Sequence, residues 1–484
     1  MGDLMALVEK LGSARLVLVG DIMQDRYVHG SVTRISPEAP IPVLQVQRSS
    51  DTLGGAGNVL RNLSALAAET CFLTVLGDDP PGHAVTGIVA DVPGCEPHLL
   101  VEPGRVTTVK TRYVAGGQQL LRVDEEQVTA LMAGTAADLL DRAAGALKEA
   151  GALILSDYGK GVLGDDLLKN LIAAARAAGV PVVVDPKGRD YSRYDGATIV
   201  TPNRAELSEA TGLPVSDAAS CVAAAQALLE SCGLDAVLVT RSQDGMTLVR
   251  RDCPPFHLPT RARAVYDVSG AGDTVVAVLA AALASGMTLE DGCALANAAA
   301  GIVVGKSGTA TCSAAELTEA LQGEAFALGE SKVLSRPHLV QQVTEWRAQG
   351  LRVGFTNGCF DLIHPGHVSL LAQARAACDR LVVGLNSDSS VRRLKGESRP
   401  IQAETARALV LASMGAVDAV TLFSEDTPLA IIEAIRPEVL VKGADYTVET
   451  VVGAREVIGW GGKVVLADLT PGQSTSTIVA RMAG

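Results

Sequence analysis

Aromatic side chains are scarce in this chain of 484 residues. Phe, Trp and Tyr together make up 3%. A core built here must be filled by small and branched aliphatics, and Ala, Val and Leu supply most of the apolar mass. That mix suits buried parallel strands covered by Ala-rich helices. A basic surplus is also missing. The formal net charge is -13, which excludes broad binding to nucleic acid or to anionic membranes. It leaves open phosphorylated substrates, which a few local Lys and Arg residues can hold. The nine cysteines contain no C-x-x-C pair and no regular spacing, so reduced core thiols in a cytoplasmic protein are expected, not a disulfide framework or a metal site. No basic stretch followed by an apolar core opens the chain, so no signal peptide is expected. The most apolar run, 275–287, has 13 residues including Ser285 and Gly286. It is too short to span a bilayer and reads as a buried helix.

What is present is alternation. Short Val/Ile/Leu-rich runs at 15–20, 152–155, 180–184, 197–200 and 236–240 each end in Asp, Gly, Pro or Ser, and helical patterns usually follow. This is the signature of a parallel sheet with helices on both faces. Residues 27–46 and 106–123 break the pattern as extended segments that could form a separate lid, with a hairpin turn at Gly116-Gly117. At 352–356 a fresh strand–loop–helix unit opens. The length calls for two to four domains, and we place the boundary near residue 330, giving domains 1–330 and 331–484.

The most informative motif is Asp267-Val268-Ser269-Gly270-Ala271-Gly272-Asp273-Thr274, which leads directly into the apolar run. Glycines at a helix start let backbone N–H groups approach an anion, and the helix dipole favours negative charge there. A carboxylate in the first turn can take a proton from an attacking hydroxyl. A base aimed at an acceptor, beside donors for the transferred group, is what phosphoryl transfer needs. A second glycine loop, Leu53-Gly54-Gly55-Ala56-Gly57-Asn58-Val59, opens another helix. Asn203-Arg204-Ala205-Glu206 follows the run 197–200, Thr240 begins a turn after the run at 236–239, and Asp21 and Asp25 follow the first strand, where carboxylates could grip sugar hydroxyls.

In order and spacing these motifs resemble the ribokinase-like (PfkB) carbohydrate kinase family over about two-thirds of the chain. The resemblance implies Asp273 as catalytic base and Gly270, Ala271 and Gly272 as the anion hole. Asn203, Arg204, Ala205, Glu206 and Thr240 fall to ATP, with Mg²⁺ near Asn203 and Glu206. Asp21, Asp25, Gly55 and Asn58 fall to the sugar. The two extended segments become a lid through which a homodimer would form. Thr240-Arg241-Ser242 departs from the Thr-x-Gly of many members. Lys110, Arg112, Lys160 and Lys187 are candidates for a phosphate on the substrate.

The second unit carries Thr356-Asn357-Gly358-Cys359-Phe360-Asp361-Leu362-Ile363-His364-Pro365-Gly366-His367 between a strand and a helix. No Cys or carboxylate cluster completes a ligand set around the two histidines, so structural zinc is not expected. Two imidazoles and helix-start N–H groups instead suit a triphosphate. The segment resembles the cytidylyltransferase-like nucleotidyltransferase superfamily, a Rossmann-like α/β fold. Asn386-Ser387-Asp388, Lys395-Gly396, Val441-Lys442-Gly443 with Asp445-Tyr446, and Ser474-Thr475-Ser476-Thr477 follow in the family's order. The resemblance implies His364 and His367 as catalytic. Thr356, Asn357, Phe360, Lys395, Ser474, Thr475, Ser476 and Thr477 fall to nucleotide and phosphate. Cys359 is not expected to be a nucleophile.

Taken together, the chain resembles the bifunctional heptose-phosphate kinase and adenylyltransferase family of Gram-negative bacteria. Gly20-Asp21 with Asp25-Arg26-Tyr27, the stretch 34–40, Ser156-Asp157-Tyr158-Gly159-Lys160-Gly161, Leu394-Lys395-Gly396 and Arg399-Pro400 carry that match. It implies ATP-dependent phosphorylation of a heptose 7-phosphate at O1 and adenylyl transfer from ATP to the 1-phosphate. The expected partners are small sugar phosphates, not nucleic acid or membrane. The same two chemistries on another sugar or polyol phosphate, perhaps with CTP, have the same catalytic parts.

Overall fold

The computed structural model describes residues 2–260, 265–306, 308–444 and 446–468. The chain divides into two compact units, Met1–Leu321 and Gln322–Gly484. The division falls inside the helix Ala314–Ser331, a little before the sequence-expected boundary near 330.

Among the described residues of the first unit nine strands form one sheet. Their spatial order is Phe256–Leu258, Met246–Arg250, Ala236–Thr240, Ile199–Val200, Val182–Asp185, Ala152–Ser156, Arg15–Gly20, Glu69–Gly77 and Cys95–Glu102. All neighbours are parallel except the two pairs at the Phe256–Leu258 edge. Side chains alternate across the pleat, and Arg15–Gly20 shows why both faces need cover. Leu16 and Leu18 enter one core with the helices Ala56–Ala65, Ala271–Ala284 and Leu289–Val303, while Val17 and Val19 enter the other with Asp165–Ala177 and Ala218–Ser231. Helix Ala271–Ala284 is buried at every position from Asp273 to Ala282, as an apolar sequence without a polar face requires. Among the described residues no helix is long and apolar enough to cross a membrane.

The extended segments form a separate four-stranded sheet in the order Pro42–Gly55, Ile22–Ile35, Val109–Ala115, Gln118–Glu125. Its hairpin turns at Gly116 and Gly117, both with positive φ (57° and 80°), the backbone that a two-residue turn of this hand demands. The strand Pro42–Gly55 runs straight into helix Ala56–Ala65, so the expected glycine loop at 53–59 is a strand end and a helix start with no loop between. Gly55 makes the junction at φ 59°, and a Cβ there would lie 2.5 Å from the Asp21 carbonyl oxygen.

Among its described residues the second unit holds a five-stranded sheet in which all neighbours are parallel. Its order is Ala419–Phe423, Arg380–Asn386, Val353–Gly358, Val439–Gly443, Lys463–Ala467. In chain order this is 3-2-1-4-5. The direction of winding reverses beside Val353–Gly358, and open α/β sheets bind ligands at the carboxyl ends of strands at such a reversal.

Candidate functional sites

The first site lies at the carboxyl ends of the first unit's strands. A cavity of about 590 Å³ is lined by Asp185, Lys187, Asn203, Glu206, Thr240, Ala271 and Gly272, among others. Gly270 caps helix Ala271–Ala284 in the left-handed conformation at φ 80°. A Cβ on it would lie 2.6 Å from Asn58 Nδ2, so glycine is required on both counts.

Asp273 stands in the first turn of that helix and is 5% exposed. Asn58 Nδ2 donates to its Oδ2 at 2.7 Å and the Tyr158 hydroxyl donates to its Oδ1 at 2.7 Å. Burial pushes the Asp273 carboxyl up to about 6, against the pull of these two bonds. A carboxyl titrating there could serve as a general base near neutral pH.

Several expected sugar contacts carry structural bonds. Asn58 holds the base, and Arg61 in turn donates to Asn58 Oδ1 at 3.3 Å. Asp21 is 1% exposed and accepts from the backbone N–H groups of Tyr158, Lys160 and Val162 at 2.9, 3.0 and 3.0 Å. It pins the loop that carries Tyr158. Asp25 pairs with Arg112 at 2.7 Å, and Gly54 makes room for it, since a Cβ there would lie 2.7 Å from Asp25 Oδ2.

The expected phosphate cations are all paired with carboxylates: Arg112 with Asp25, Lys110 with Asp124 at 3.2 Å, Lys160 with Glu126 at 2.7 Å and Lys187 with Glu206 at 3.2 Å.

Asn203 and Glu206 form a capping box at the start of helix Arg204–Thr211. Arg204 pairs with Asp244, and Ala205 and Thr240 face the cavity. At the departure Thr240-Arg241-Ser242, Ser242 takes φ 54°, a left-handed backbone that favours glycine. Sequence reasoning assigned no role to Asp185. Burial and the neighbouring carboxylates of Asp273 and Glu206 push it well above the ordinary Asp value. Its position at the end of an apolar strand was the available signal.

The second site sits at the winding reversal. Thr356 and Asn357 end strand Val353–Gly358, and His364 caps helix Pro365–Ala376. The His364 and His367 rings stack with centroids 3.9 Å apart, and Phe360 packs on His367 at 5.0 Å. Burial, helped by His364, drives His367 down to about 4, and burial lowers His364 also. Both are neutral at physiological pH, so each ring carries one N–H donor and one acceptor nitrogen and no charge. Thr356 Oγ1, Asn357 Oδ1 and His364 Nδ1 are buried without a hydrogen-bond partner among the described residues. Buried polar groups are normally satisfied, so this cluster marks a surface made for a polar ligand.

Lys395 ends helix Asp388–Lys395 and is exposed, and its charge acts on Cys359. Burial raises the Cys359 thiol, which argues against a nucleophile. Ser474, Thr475, Ser476, Thr477 and Asp445 lie outside the described residues.

Two supports escaped sequence reasoning. Arg407, 1% exposed, donates to the carbonyls of Cys359 (2.6 Å), Asn386 (2.9 Å) and Gln402 (3.0 Å) and to Asp388 Oδ1 (2.7 Å). Asp361 accepts from Arg399 and from the N–H groups of Ile401 and Gln402. Together they clamp the T-N-G-C-F-D loop to its neighbours.

Among the described residues one group has metal-binding side chains close together: Cys71, Glu96 and His98. Arg142 lies 3.3 Å from His98 Nδ1, which places the imidazole proton on Nε2, 3.2 Å from Glu96. The group reads as a hydrogen-bonded surface pair beside a thiol.

A buried carboxylate over a glycine-started helix suits a phosphotransferase acting on a hydroxyl, and a histidine-capped helix beside a strand end suits a nucleotidyltransferase. The comparisons agree. A model of the pfkB family carbohydrate kinases matches residues 13–316, and a cytidylyltransferase-like model matches residues 355–481. The bifunctional protein HldE of Paramagnetospirillum magneticum is 58% identical, with both chains covered in full, and that of Caulobacter vibrioides is 54% identical over the same extent. Arabidopsis thaliana ribokinase, solved with ribose and ATP, superposes with a TM-score of 0.52 at 23% identity, covering 64% of this chain and 99% of its own. Escherichia coli phosphofructokinase-2 gives 0.53 at 21%, with the same coverage. The chain belongs to the bifunctional HldE family, in which a pfkB-family carbohydrate kinase precedes a cytidylyltransferase-like nucleotidyltransferase.

Proposed function

We infer that the chain catalyses two steps of ADP-heptose synthesis. The first unit phosphorylates D-glycero-β-D-manno-heptose 7-phosphate at O1 with ATP, giving the 1,7-bisphosphate. Asp273 takes the proton from O1 as that oxygen attacks the γ-phosphorus, and the N–H groups after Gly270 receive the developing charge. The second unit acts on the 1-phosphate left after a separate phosphatase has removed the 7-phosphate. That phosphate attacks the α-phosphorus of ATP, pyrophosphate leaves, and ADP-heptose forms. His364 and His367 donate to the phosphates. The observation that carries this reading is the full-length match to bifunctional relatives, with Asp273, His364 and His367 each set in a built site.

Mg²⁺ fits the first site. The expected place is near Asn203 and Glu206, where Glu206 offers hard carboxylate oxygens at the cavity wall, and Asp185, lining the same cavity, would offer more once ionised; such oxygens are the donors this ion prefers. Bound there, it would neutralise phosphate charge. The lid sheet exposes Ile35, Ile41, Val46 and Leu121, and a homodimer formed through it would cover them. The expected compartment is the cytoplasm.

Supplying heptose 7-phosphate and ATP and looking for the bisphosphate by mass spectrometry tests the first step. Absence of the bisphosphate overturns it. Turnover of the 1-phosphate with ATP but not CTP tests the second, and preference for CTP would favour the alternative substrate class.

A further inference from the structure

Two donors of different kinds hold Asp273. Asn58 Nδ2 reaches Oδ2 and the Tyr158 hydroxyl reaches Oδ1, each at 2.7 Å. An amide nitrogen can only donate, whereas a phenolic hydroxyl can donate or accept as it turns about its C–O bond. That difference matters when the carboxylate gains a proton. Ionised, Asp273 accepts from both. Protonated on Oδ2, it would set a donor against the Asn58 donor. Protonated on Oδ1, it meets a hydroxyl able to rotate and accept.

We propose that Tyr158 is the positioning residue of the kinase base, donating to Asp273 Oδ1 before phosphoryl transfer and accepting from the new Oδ1–H afterwards. The balance is simple. The sugar O–H gives its proton to Asp273 and its oxygen bonds the γ-phosphorus. The bond from that phosphorus to the bridging oxygen breaks, and ADP leaves. Tyr158 keeps its own proton throughout. The acid later releases the acquired proton to water.

The backbone is arranged to present this hydroxyl. Asp21 grips the N–H groups of Tyr158, Lys160 and Val162. Asp157 Oδ1 accepts from Gly159, which turns at φ 65°. A Cβ on Gly55 would lie 3.5 Å from the Tyr158 ring, so the glycine junction packs beneath it. Burial and the neighbouring Asp273 raise the Tyr158 hydroxyl well above the ordinary tyrosine value, so it stays protonated and available as a donor.

The inference rests on Asp273 being the kinase base. The test uses the full chain with Tyr158→Phe and follows kcat/KM for heptose 7-phosphate between about pH 5 and 9. Loss of a bond to the ionised form makes that form harder to reach. The acid limb should therefore move up by about one pH unit. The kcat should fall while the KM for ATP and the transferase rate of the same polypeptide stay put. A limb that superimposes on the wild type overturns the proposal even if the rate falls, because lost packing alone does not move a titration. If the phenylalanine variant misfolds, 3-fluorotyrosine at position 158 provides a stronger donor, and the limb should move down; no movement again overturns the proposal. Wild-type-like turnover by Asp273→Asn, or none by the wild type, would instead refute the underlying reading.

Discussion

Asn203 and Glu206 satisfy each other's backbone. Asn203 Oδ1 accepts from the Glu206 N–H at 3.0 Å, and Glu206 Oε2 accepts from the Asn203 N–H at 3.1 Å. One carboxylate oxygen thus starts a helix, while Oε1 meets Lys187 at the cavity wall. Glu206→Gln keeps the capping geometry and loses the charge, so melting temperature should hold while the kinase needs more Mg²⁺. Glu206→Ala loses both and should also cost about 1 kcal/mol of stability. Melting curves and Mg²⁺ titrations of kinase rate separate the two roles.

Asp273→Asn should lower kinase kcat by ~10²–10⁴ with ATP binding little changed. The wild-type rate should fall as pH drops through about 6, where the base protonates. The stability effect runs the other way. Asp273 titrates higher folded than unfolded, so its ionised form opposes folding once pH rises through the folded value. The neutral amide should therefore not lower the melting temperature at pH above 7. A destabilised, equally inactive variant would point to a structural role instead.

Much of this was legible in the sequence because it is local. The apolar run 15–20, the Gly116-Gly117 turn and the glycine-started apolar helix each declare themselves within a few residues. Roles made across long separations were not. Asn58 bonds Asp273 from 215 residues away, and its motif suggested only a glycine loop near sugar. Arg407 sits on an ordinary helix, Glu404–Ala412, and nothing in its neighbours announces four acceptors from three loops. N-x-x-E is visible as a motif, and the same spacing serves a helix cap as well as phosphate chemistry. Paired cations such as Lys160 look the same in sequence as free ones.

Ser242→Gly should stabilise the first unit. A left-handed serine costs roughly 1–2 kcal/mol, of which glycine's extra freedom in the unfolded chain returns about half. A gain near ~0.5 kcal/mol is expected in the melting of the kinase half. Unchanged or lowered stability would show that the Ser242 backbone carries no strain.

Arg407→Met should act on the transferase alone. It leaves the Asp388 carboxylate and three carbonyls without their donor; Asp388 is partly exposed, so the cost should lie near the lower end of the ~3–5 kcal/mol of a fully buried pair. Transferase melting and activity should both fall, with kinase turnover retained. Lysine, a single point of charge without the planar fork, should rescue little. Full transferase activity in the methionine variant would show that the loops hold their shape without the clamp.

His364 and His367 are stacked and neutral, His364 buried and His367 half-buried, and the role proposed for them is as hydrogen-bond donors whose value rises as charge grows on the ATP phosphates. Loss should therefore appear mainly in kcat. Removing one preorganised donor typically costs ~10²–10³, and His367→Ala should do so while the kinase is unaffected. Because burial sets His367 at about 4, lowering pH from 8 to about 6 should not change the transferase rate through the His367 ring. A charged-imidazole mechanism would instead require the rate to rise on acidification through the ordinary histidine range. A zinc mechanism would require loss of activity to a zinc chelator in excess Mg²⁺. Simple packing of the turn would require lower melting temperature with activity kept in the cold. Both half-reactions, melting temperature and metal content measured on His364→Ala and His367→Ala separate these outcomes. Retained transferase activity in both variants would refute the phosphate-donor role.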